Sequence, residues 1–121
     1  MTKDDFKVGQ TVYILQILNF RKNMTVEERI KEAKVLSVGR KYIAVDFWGG
    51  MKFDSTKNFK EATLYSPSYA LYLSKDQIFR ELHKEQMIKA VYSDFNFSLL
   101  REMQPEDLQV VFDIVNKYKG R

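Results

Sequence analysis

The sequence predicts an α+β protein in which a small five-stranded β-barrel precedes a C-terminal α-helical hairpin. Up to Leu73 the apolar residues alternate in short β-branched and aromatic runs broken by glycines, a pattern typical of strands. From Ser74 they recur at spacings of three and four, with no glycine before Gly120, a pattern typical of helices. We therefore predict a barrel at residues 1–73 and a helical hairpin at 74–121. A piece of about 70 residues that folds alone buries only about 60% of its unfolded surface and is marginally stable. We therefore expect the barrel to depend on the helices and the two parts to fold as one cooperative unit.

Five strands are predicted in the first part of the chain. They span Thr11–Leu18, Ile30–Val38, Lys41–Trp48, Met51–Asp54 and Ala70–Leu73. Gly9 allows the positive φ of a tight turn before the first strand. Gly39-Arg40 predicts a two-residue hairpin, and Gly49-Gly50 predicts the next turn. Residues 19–28 are predicted to be a polar connection, and residues 55–68 a long excursion. Its expected anchors are Phe59, Leu64 and Tyr65.

Two helices are predicted after Ser74. The segment Ser74-Lys75-Asp76-Gln77 has the form of a capping box and predicts the first helix start. Pro105, followed by Glu106 and Asp107, predicts the second. The apolar stripes of the two helices are expected to pack on each other and on the barrel. These stripes consist of Ile88, Val91, Tyr92 and Phe95 in the first helix and Leu108, Val111, Phe112 and Val115 in the second. The stripe of the first helix could alternatively be a groove for a partner or a dimer seam, although packing between the two helices explains it.

Composition and charge limit the classes of function. The chain has no cysteine, which excludes disulfides, thiol catalysis and thiolate metal sites. No apolar stretch follows the mixed charges of residues 1–5, and none approaches the length of a membrane span, so we expect a cytoplasmic protein without membrane insertion. Residues 1–73 hold 12 Lys and Arg against 8 Asp and Glu, while residues 74–121 hold 8 of each. The net charge of +4 thus lies in the predicted barrel and mildly favours polyanionic partners.

The start of the chain resembles a known class of barrels. Phe6-Lys7-Val8-Gly9-Gln10-Thr11-Val12-Tyr13 and the later run Ala33 to Val45 resemble SH3-like barrels of the KOW and Tudor kind, in which a glycine precedes the first strand. The resemblance implies a fold and no activity. More loosely, the layout is similar to uncharacterised barrel proteins of phages and mobile elements of Gram-positive bacteria. That likeness implies an accessory or host-interference role, including inhibition of a defence protein.

The residues that could carry catalysis are few. His83 is the only histidine, and a helix-flank position explains it. Glu27, Glu28, Asp46 and Asp54 could form a magnesium site if the fold gathered them, which would suit a metal-dependent hydrolase, but solvated surface is the simpler interpretation. Gly49-Gly50 leads into a strand and not into a helix, unlike a phosphate-binding loop. We therefore predict no catalytic residues, no metal ligands and no cofactor.

The third strand carries the main candidate binding surface. Alternation places Ile43, Val45 and Phe47 on one face, which suits a barrel interior. The other face would carry aromatic and basic side chains together: Arg40, Tyr42 and Trp48, with Lys41 and Lys52 nearby. Aromatic planes stack on bases, and Lys and Arg neutralise phosphates. Tryptophan and arginine are equally the usual anchors of protein interfaces. Alternatively, Tyr42 and Trp48 could be an apolar platform for the helices.

The connection between the first two strands is a second candidate. Arg21 and Lys22, with Met24 and Arg29, would form a mobile basic tip, although a solvated loop explains them too. Together, these features predict a non-catalytic protein that docks a macromolecule, in the first instance a host protein. Sequence-independent binding of DNA or RNA by the basic barrel is the alternative, and it predicts an affinity that falls steeply with salt. The oligomeric state is left open.

Overall fold

The computed structural model describes residues 1–120. A short 3-10 helix, Lys3–Asp5, precedes the first strand. The strands are β1 Thr11–Gln16, β2 Ile30–Val38, β3 Tyr42–Val45, β4 Lys52–Asp54, β5 Lys60–Glu61 and β6 Tyr69–Tyr72. The helices are α1 Val26–Arg29, α2 Lys75–Asp94, α3 Phe97–Glu102 and α4 Pro105–Lys119. The α+β class is confirmed, with the β structure first and the longer helices last.

The strands form a closed antiparallel barrel of six strands, so the predicted count of five is wrong. Each strand pairs with the next along the chain, and β1 closes the barrel by pairing with β6, with Ile14 opposite Leu71. The additional strand is β5, which joins β4 to β6 through the pairs Phe53–Glu61 and Lys60–Ala70. It lies in the predicted excursion. Two residues are too short to show an alternating pattern, which is why the sequence did not reveal this strand.

Alternating residues of the strands fill the barrel. Val12 and Ile14 of β1 and Ile43 and Val45 of β3 are fully buried, as alternation requires for a barrel interior. The core cluster comprises Phe6, Val12, Ile14, Ala33, Val35, Ile43, Val45, Phe53, Phe59 and Leu71. The rings of Phe6 and Phe59 stack at one side of this cluster, with their centroids 5.2 Å apart. The interior is therefore a packed core of side chains.

Two predicted turns are present in the structure, although the second is one residue longer than predicted. Gly9, with φ at 86°, makes the positive-φ turn predicted before β1. The β2–β3 connection turns at Gly39 as expected, but it contains three residues instead of two, because β3 begins at Tyr42 and Gly39 N–H donates to the Tyr42 carbonyl. At the other end β3 stops at Val45, so Trp48 lies in a turn and the prediction of a strand up to Trp48 is wrong.

The first turn of α2 is tied to the strand that precedes it. The Ser74 hydroxyl accepts a hydrogen bond from Gln77 N–H at 3.1 Å, and the Gln77 side chain accepts one from Leu73 N–H at 2.8 Å. This confirms the predicted helix start. Ile78, one residue further, is fully buried. The chain divides into two compact units, Met1–Glu81 and the part from Leu82 onward, so the first turns of α2 belong to the barrel unit.

The second unit contains most of α2, together with α3 and α4. The sequence predicted two helices after Ser74, and the structure has a third, α3, between them; there the Asn96 side chain caps the helix by accepting a hydrogen bond from Leu99 N–H at 3.0 Å. Ile88, Val91, Phe112 and Val115 are all about half exposed, so the two stripes are not buried against each other as predicted. Packing of the helices on the barrel stays a prediction. Within residues 1–120, no helix has both the length and the apolar character needed to cross a membrane.

Candidate functional site

A groove on the barrel unit gathers lysines and tyrosines. It has a volume of about 650 Å³. We call it the lysine–tyrosine groove. It is lined by Lys41, Tyr42, Asp54, Lys57, Asn58, Lys60, Glu61, Ala62, Thr63, Leu64, Tyr65 and Pro67. These residues come from three places in the barrel: the start of β3, the β4–β5 turn and the segment from β5 toward β6.

A second groove continues the first on the other side of Tyr42. Its volume is about 410 Å³, and it is lined by Ser37, Val38, Gly39, Arg40, Lys41, Tyr42, Ala44 and Lys52. Lys41 and Tyr42 line both grooves, so the two form one surface that passes over the β2–β3 turn. The structure therefore brings together four of the predicted binding residues, Arg40, Lys41, Tyr42 and Lys52.

Positive charge dominates this surface. Arg40, Lys41, Lys52, Lys57 and Lys60 are all exposed, and they face two carboxylates. Both carboxylates are engaged by the protein itself: that of Asp54 is described below, and Glu61 Oε1 accepts a hydrogen bond from Ser68 N–H at 2.9 Å. The cations thus remain the groups that can meet a bound anion.

Asp54 organises the β4–β5 turn that carries part of the groove. Its side chain accepts hydrogen bonds from the Thr56 hydroxyl at 2.6 Å and from Thr56 N–H at 2.9 Å. Its carbonyl accepts from Lys57 N–H and Phe59 N–H. This is an Asx-type turn, in which the side chain replaces a missing backbone partner. The turn holds Lys57 and Asn58 at the groove.

The Asp54 carboxylate is only 4% exposed and is kept ionised by its partners. The hydrogen bond from the Thr56 hydroxyl lowers the pKa of Asp54 most, and the Thr56 N–H and the charges of Lys41 and Lys57 lower it further, while burial opposes them. Lys41 Nζ lies 3.7 Å from Asp54 Oδ2. Because the Lys41 side chain is half exposed, this ion pair is weak and leaves the lysine accessible to a ligand.

The tyrosines give the groove flat surfaces for stacking. Tyr42 is 39% exposed, and Lys41 Nζ lies 5.3 Å from the centroid of its ring. Tyr65 is 85% exposed and Leu64 99% exposed. The prediction that Leu64 and Tyr65 anchor the excursion in the core is therefore wrong, and of the three predicted anchors Phe59 alone is buried. Leu64 and Tyr65 instead lie at the groove.

Trp48 lies in the β3–β4 turn and lines neither groove. Its side chain is 77% exposed and meets Phe47 edge to face, with ring centroids 6.1 Å apart. Its backbone has a φ of 50°, a left-handed conformation that is uncommon for a bulky residue. Gly50 N–H and Met51 N–H donate to the Phe47 carbonyl and hold the turn in this shape. The turn thus presents the only tryptophan of the chain outward.

The predicted basic tip at Arg21 and Lys22 is a separate feature. Both residues are exposed in the β1–α1 connection, and neither lines the grooves found in the described part of the chain. Met24 is partly buried and closes the loop, because its Sδ accepts a hydrogen bond from Arg21 N–H at 3.3 Å. Arg29 is engaged elsewhere: its Nε donates to the Gln16 carbonyl, and its guanidinium stacks on Phe20 at 3.7 Å.

The carboxylates considered for a magnesium site each interact with a different group of the protein. Glu27 pairs with Lys75 at 3.4 Å, and Asp46 Oδ1 accepts a hydrogen bond from Lys34 N–H. Glu28 caps α1 with Thr25. Among residues 1–120, no three His, Asp or Glu side chains are close enough together to hold a metal ion.

The sequence did not point to Lys57, Lys60 and Tyr65 as candidate binding residues. All three lie in the segment interpreted as a polar excursion, and they reach the groove because β5 folds that segment against β4 and β6. One signal was present, since Asp54-Ser55-Thr56 is typical of an Asx turn that would reverse the chain after β4. Recognising this turn in the sequence would have placed Lys57 and Lys60 near Lys41.

A comparison of the chain with known proteins identifies the family to which it belongs. Neither the curated proteins nor the solved structures contain a significant match to the chain. The family model described as the phage ProQ C-terminal-like domain matches residues 1–118, and so covers both the barrel and the helices. A phage-associated small barrel agrees with the origin suggested by the sequence, whereas the SH3-like subtype is not confirmed by this match. The chain belongs to the family of phage ProQ C-terminal-like domains.

Proposed function

We propose that this protein is a phage accessory protein that acts by binding without catalysis, and that its barrel binds single-stranded nucleic acid along the lysine–tyrosine groove and its continuation. The observation that carries the proposal is the surface around Tyr42, where five Lys and Arg side chains line two connected grooves. Tyr42 and Tyr65 add exposed aromatic planes to the same surface. Its barrel is proposed to be of the SH3-like type.

Each part of the groove has a role in this proposal. Lys41, Lys57 and Lys60 meet the phosphates, and they release condensed counterions as they do so. Tyr42 and Tyr65 offer faces on which bases stack, which is tolerant of sequence because every base has a π face. No donor and acceptor pattern for a particular base is needed. The binding we propose is therefore independent of sequence and strongly dependent on salt.

The first experiment measures binding of fluorescently labelled mixed-sequence single-stranded DNA and RNA at two salt concentrations. We expect Tyr42→Ala to weaken binding roughly 5- to 150-fold, the loss of about 1–3 kcal/mol of stacking on one base. Tyr92→Ala is the matched control, because Tyr92 is an exposed tyrosine of the second unit that lines neither barrel groove. It should bind as the wild type does.

The lysines are tested by the slope of affinity against salt. The Lys57→Ala, Lys60→Ala double variant should lower the slope of log K against log salt by about 0.7 for each lost phosphate contact. Lys31→Ala, on the exposed part of β2, should leave the slope unchanged. If wild-type protein shows no binding to either nucleic acid at low salt, the proposal is wrong.

A second candidate function is supported by Trp48. In this alternative the protein docks a host protein, as an inhibitor of host defence would, and the outward tryptophan is the anchor. Tryptophan is enriched among the residues that contribute most of the binding energy near the centre of protein interfaces. The left-handed backbone of Trp48 also marks a place where the chain tolerates local strain, as binding sites often do.

The two candidates are separated by Trp48→Ala. Because the side chain is exposed, we expect the free energy of unfolding to change by no more than about 0.5 kcal/mol. Phe53→Ala, at a fully buried position, should instead cost about 3–5 kcal/mol. A host protein captured by the wild type, lost in Trp48→Ala and insensitive to salt would favour protein docking. Unchanged capture by the variant would contradict it.

A further inference from the structure

The apolar surface of α4 is too wide for one helix neighbour. Successive residues of an α-helix are rotated by about 100°, so the apolar residues of α4 cover an arc of about 200°. These residues are Leu108, Val110, Val111, Phe112, Ile114 and Val115. A stripe that packs on a single neighbour needs only about half of that arc. Part of this helix therefore presents apolar side chains that one neighbour cannot cover.

Most of these side chains are accessible. Val110, Phe112, Ile114 and Val115 are each between half and two thirds exposed. A groove of about 560 Å³ follows one side of the helix, and its walls are almost entirely apolar: Leu100, Pro105, Leu108, Gln109, Val111, Phe112 and Val115. Its concave shape between side chains suits the ridge of another helix.

The second half of α2 carries a separate exposed apolar face. Met87, Ile88, Val91 and Tyr92 are half or more exposed and line a shallow apolar depression of about 400 Å³ with Lys84. On each helix these exposed apolar residues are neighbours at helical spacing and form a patch, and such patches commonly mark interaction surfaces.

The charges of α4 indicate which partner it takes. The helix begins with Glu106 and Asp107 and ends with Lys117 and Lys119. A second copy of the same helix lying antiparallel would place acidic residues beside basic ones at both ends, and the helix dipoles would also be opposed. A parallel copy would place like charges together. The antiparallel pair is also compatible with a twofold axis perpendicular to the helices, in which each copy presents the same surface to the other.

The remaining charge distribution agrees with self-association. Residues 74–121 carry equal numbers of basic and acidic residues, so two helical units do not repel each other. The net positive charge lies in residues 1–73, which makes contact between two barrels unfavourable. We propose that α4 is a homodimerisation helix, paired antiparallel with α4 of a second copy about a twofold axis close to Phe112, the midpoint of the helix.

The dimer is tested by sedimentation of the full chain over protein concentrations from about 1 to 200 µM, a range that brackets a typical weak-to-moderate dimer. The wild type should change from monomer to dimer as its concentration rises. Phe112→Glu places two carboxylates near the axis and should raise the dissociation constant at least tenfold. Gln86→Glu adds the same charge to the face of α2 opposite Met87, Ile88 and Val91, where it lines neither apolar groove, and should change it less than twofold. Circular dichroism checks that both variants keep their helices.

A charge exchange tests the antiparallel orientation without touching the apolar surface. The Glu106→Lys, Asp107→Lys variant and the Lys117→Glu, Lys119→Glu variant should each dimerise about three- to tenfold more weakly than the wild type, the sum of several exposed ion pairs. An equal mixture of the two should form a heterodimer at least as tight as the wild-type dimer. The charge-exchange variants still test the proposed dimer if the Phe112→Glu variant fails to fold.

Two results would overturn the proposal. A wild type that stays monomeric at the highest concentration would mean that the same chain covers its own apolar faces, or that a different protein does. A dimer that Phe112→Glu and Gln86→Glu affect equally would place the interface elsewhere. Failure of nucleic-acid binding by the barrel would leave the dimer proposal unaffected, since none of the barrel groove residues belongs to α4.

Discussion

The Asp54 carboxylate shows how one buried side chain positions several exposed ones. It accepts two hydrogen bonds from Thr56 and caps the turn that carries Lys57 and Asn58. Asn58 and Phe59 both have positive φ, at 55° and 57°, a conformation that asparagine tolerates but that is uncommon for phenylalanine. The groove therefore depends on a residue that itself contributes almost no surface to a ligand.

We predict that Asp54 makes stability depend on pH in the acid range. The pKa of Asp54 is lower in the folded protein than in the unfolded chain. Its ionised form therefore stabilises the fold above the unfolded value of about 3.9, and this contribution is lost as the pH falls through the lower folded pKa. Asp54→Asn should reduce the melting temperature at pH 7, and the difference from wild type should shrink below about pH 4.

Thermal melts at pH 3, 5 and 7 provide the measurement. Asp4→Asn serves as the control, because Asp4 is an exposed carboxylate at the start of the 3-10 helix, away from the β4–β5 turn. A difference between Asp54→Asn and wild type that stays constant across the three pH values would contradict the charge-based explanation and leave only the loss of turn geometry.

At the scale of elements, the sequence predicted the strands and the helix start that have a clear local signal. β1, β2, β4 and β6 and the start of α2 were predicted close to their observed bounds, because alternation and a capping motif are local signals. β5 was missed because its two residues are held by pairing on both sides and not by their own pattern. The end of β3 was missed because Phe47 and Trp48 continue the alternation, while the following glycines allow the chain to turn earlier.

The candidate site was predictable only in part for the same reason. Arg40, Lys41, Tyr42 and Lys52 are near one another in sequence around one hairpin, so strand pairing could be anticipated. Lys57 and Lys60 reach the groove through β5, and Tyr65 through the segment after it, so their position follows from tertiary pairing. The sequence singled out Trp48 as a candidate binding residue, but the turn places it away from the face that it was expected to share with Tyr42.

The start of α2 gives a prediction at this scale. The Ser74 hydroxyl accepts from Gln77 N–H, one of the helix amides that has no partner within the helix. Ser74→Ala should therefore lower the free energy of unfolding by about 0.5–2 kcal/mol, as removal of other N-caps does. Ser93→Ala, in the last turn of the same helix, should change it by less than about 0.5 kcal/mol. Urea denaturation followed by circular dichroism compares the two.

An equal effect of both serine substitutions would show that general helix propensity and not the cap controls stability. The comparison also addresses the barrel. Because Ile78 is buried and the first turns of α2 belong to the unit Met1–Glu81, loss of the cap should lower the stability of the barrel itself. Fluorescence of Trp48, which lies on the barrel, should report the same loss as the helical signal.

At the scale of the whole molecule, the two units differ in how they bury apolar residues. The barrel closes on itself, and ten of its residues form one cluster with at most 5% exposure. The second unit leaves the apolar residues of α2 and α4 largely accessible, and none of its described residues is fully buried. A single cooperative transition was predicted from the size of the barrel alone. The contrast in burial makes local opening of the helical unit the more accessible event.

Native-state hydrogen exchange tests this difference. At low protein concentration, amides in the middle of β1 and β6, such as those of Ile14 and Leu71, should exchange at least about 100-fold more slowly than those of Val111 and Val115 in α4. Raising the protein concentration should slow exchange in α4 and leave the barrel amides unchanged, because a second copy then covers the exposed apolar face. Phe112→Glu should abolish the concentration dependence without altering the barrel. If α4 is protected as strongly as β1 even in dilute solution, the helical unit buries its apolar surface within a single chain, and the asymmetry between the two units inferred from their side-chain exposure is wrong.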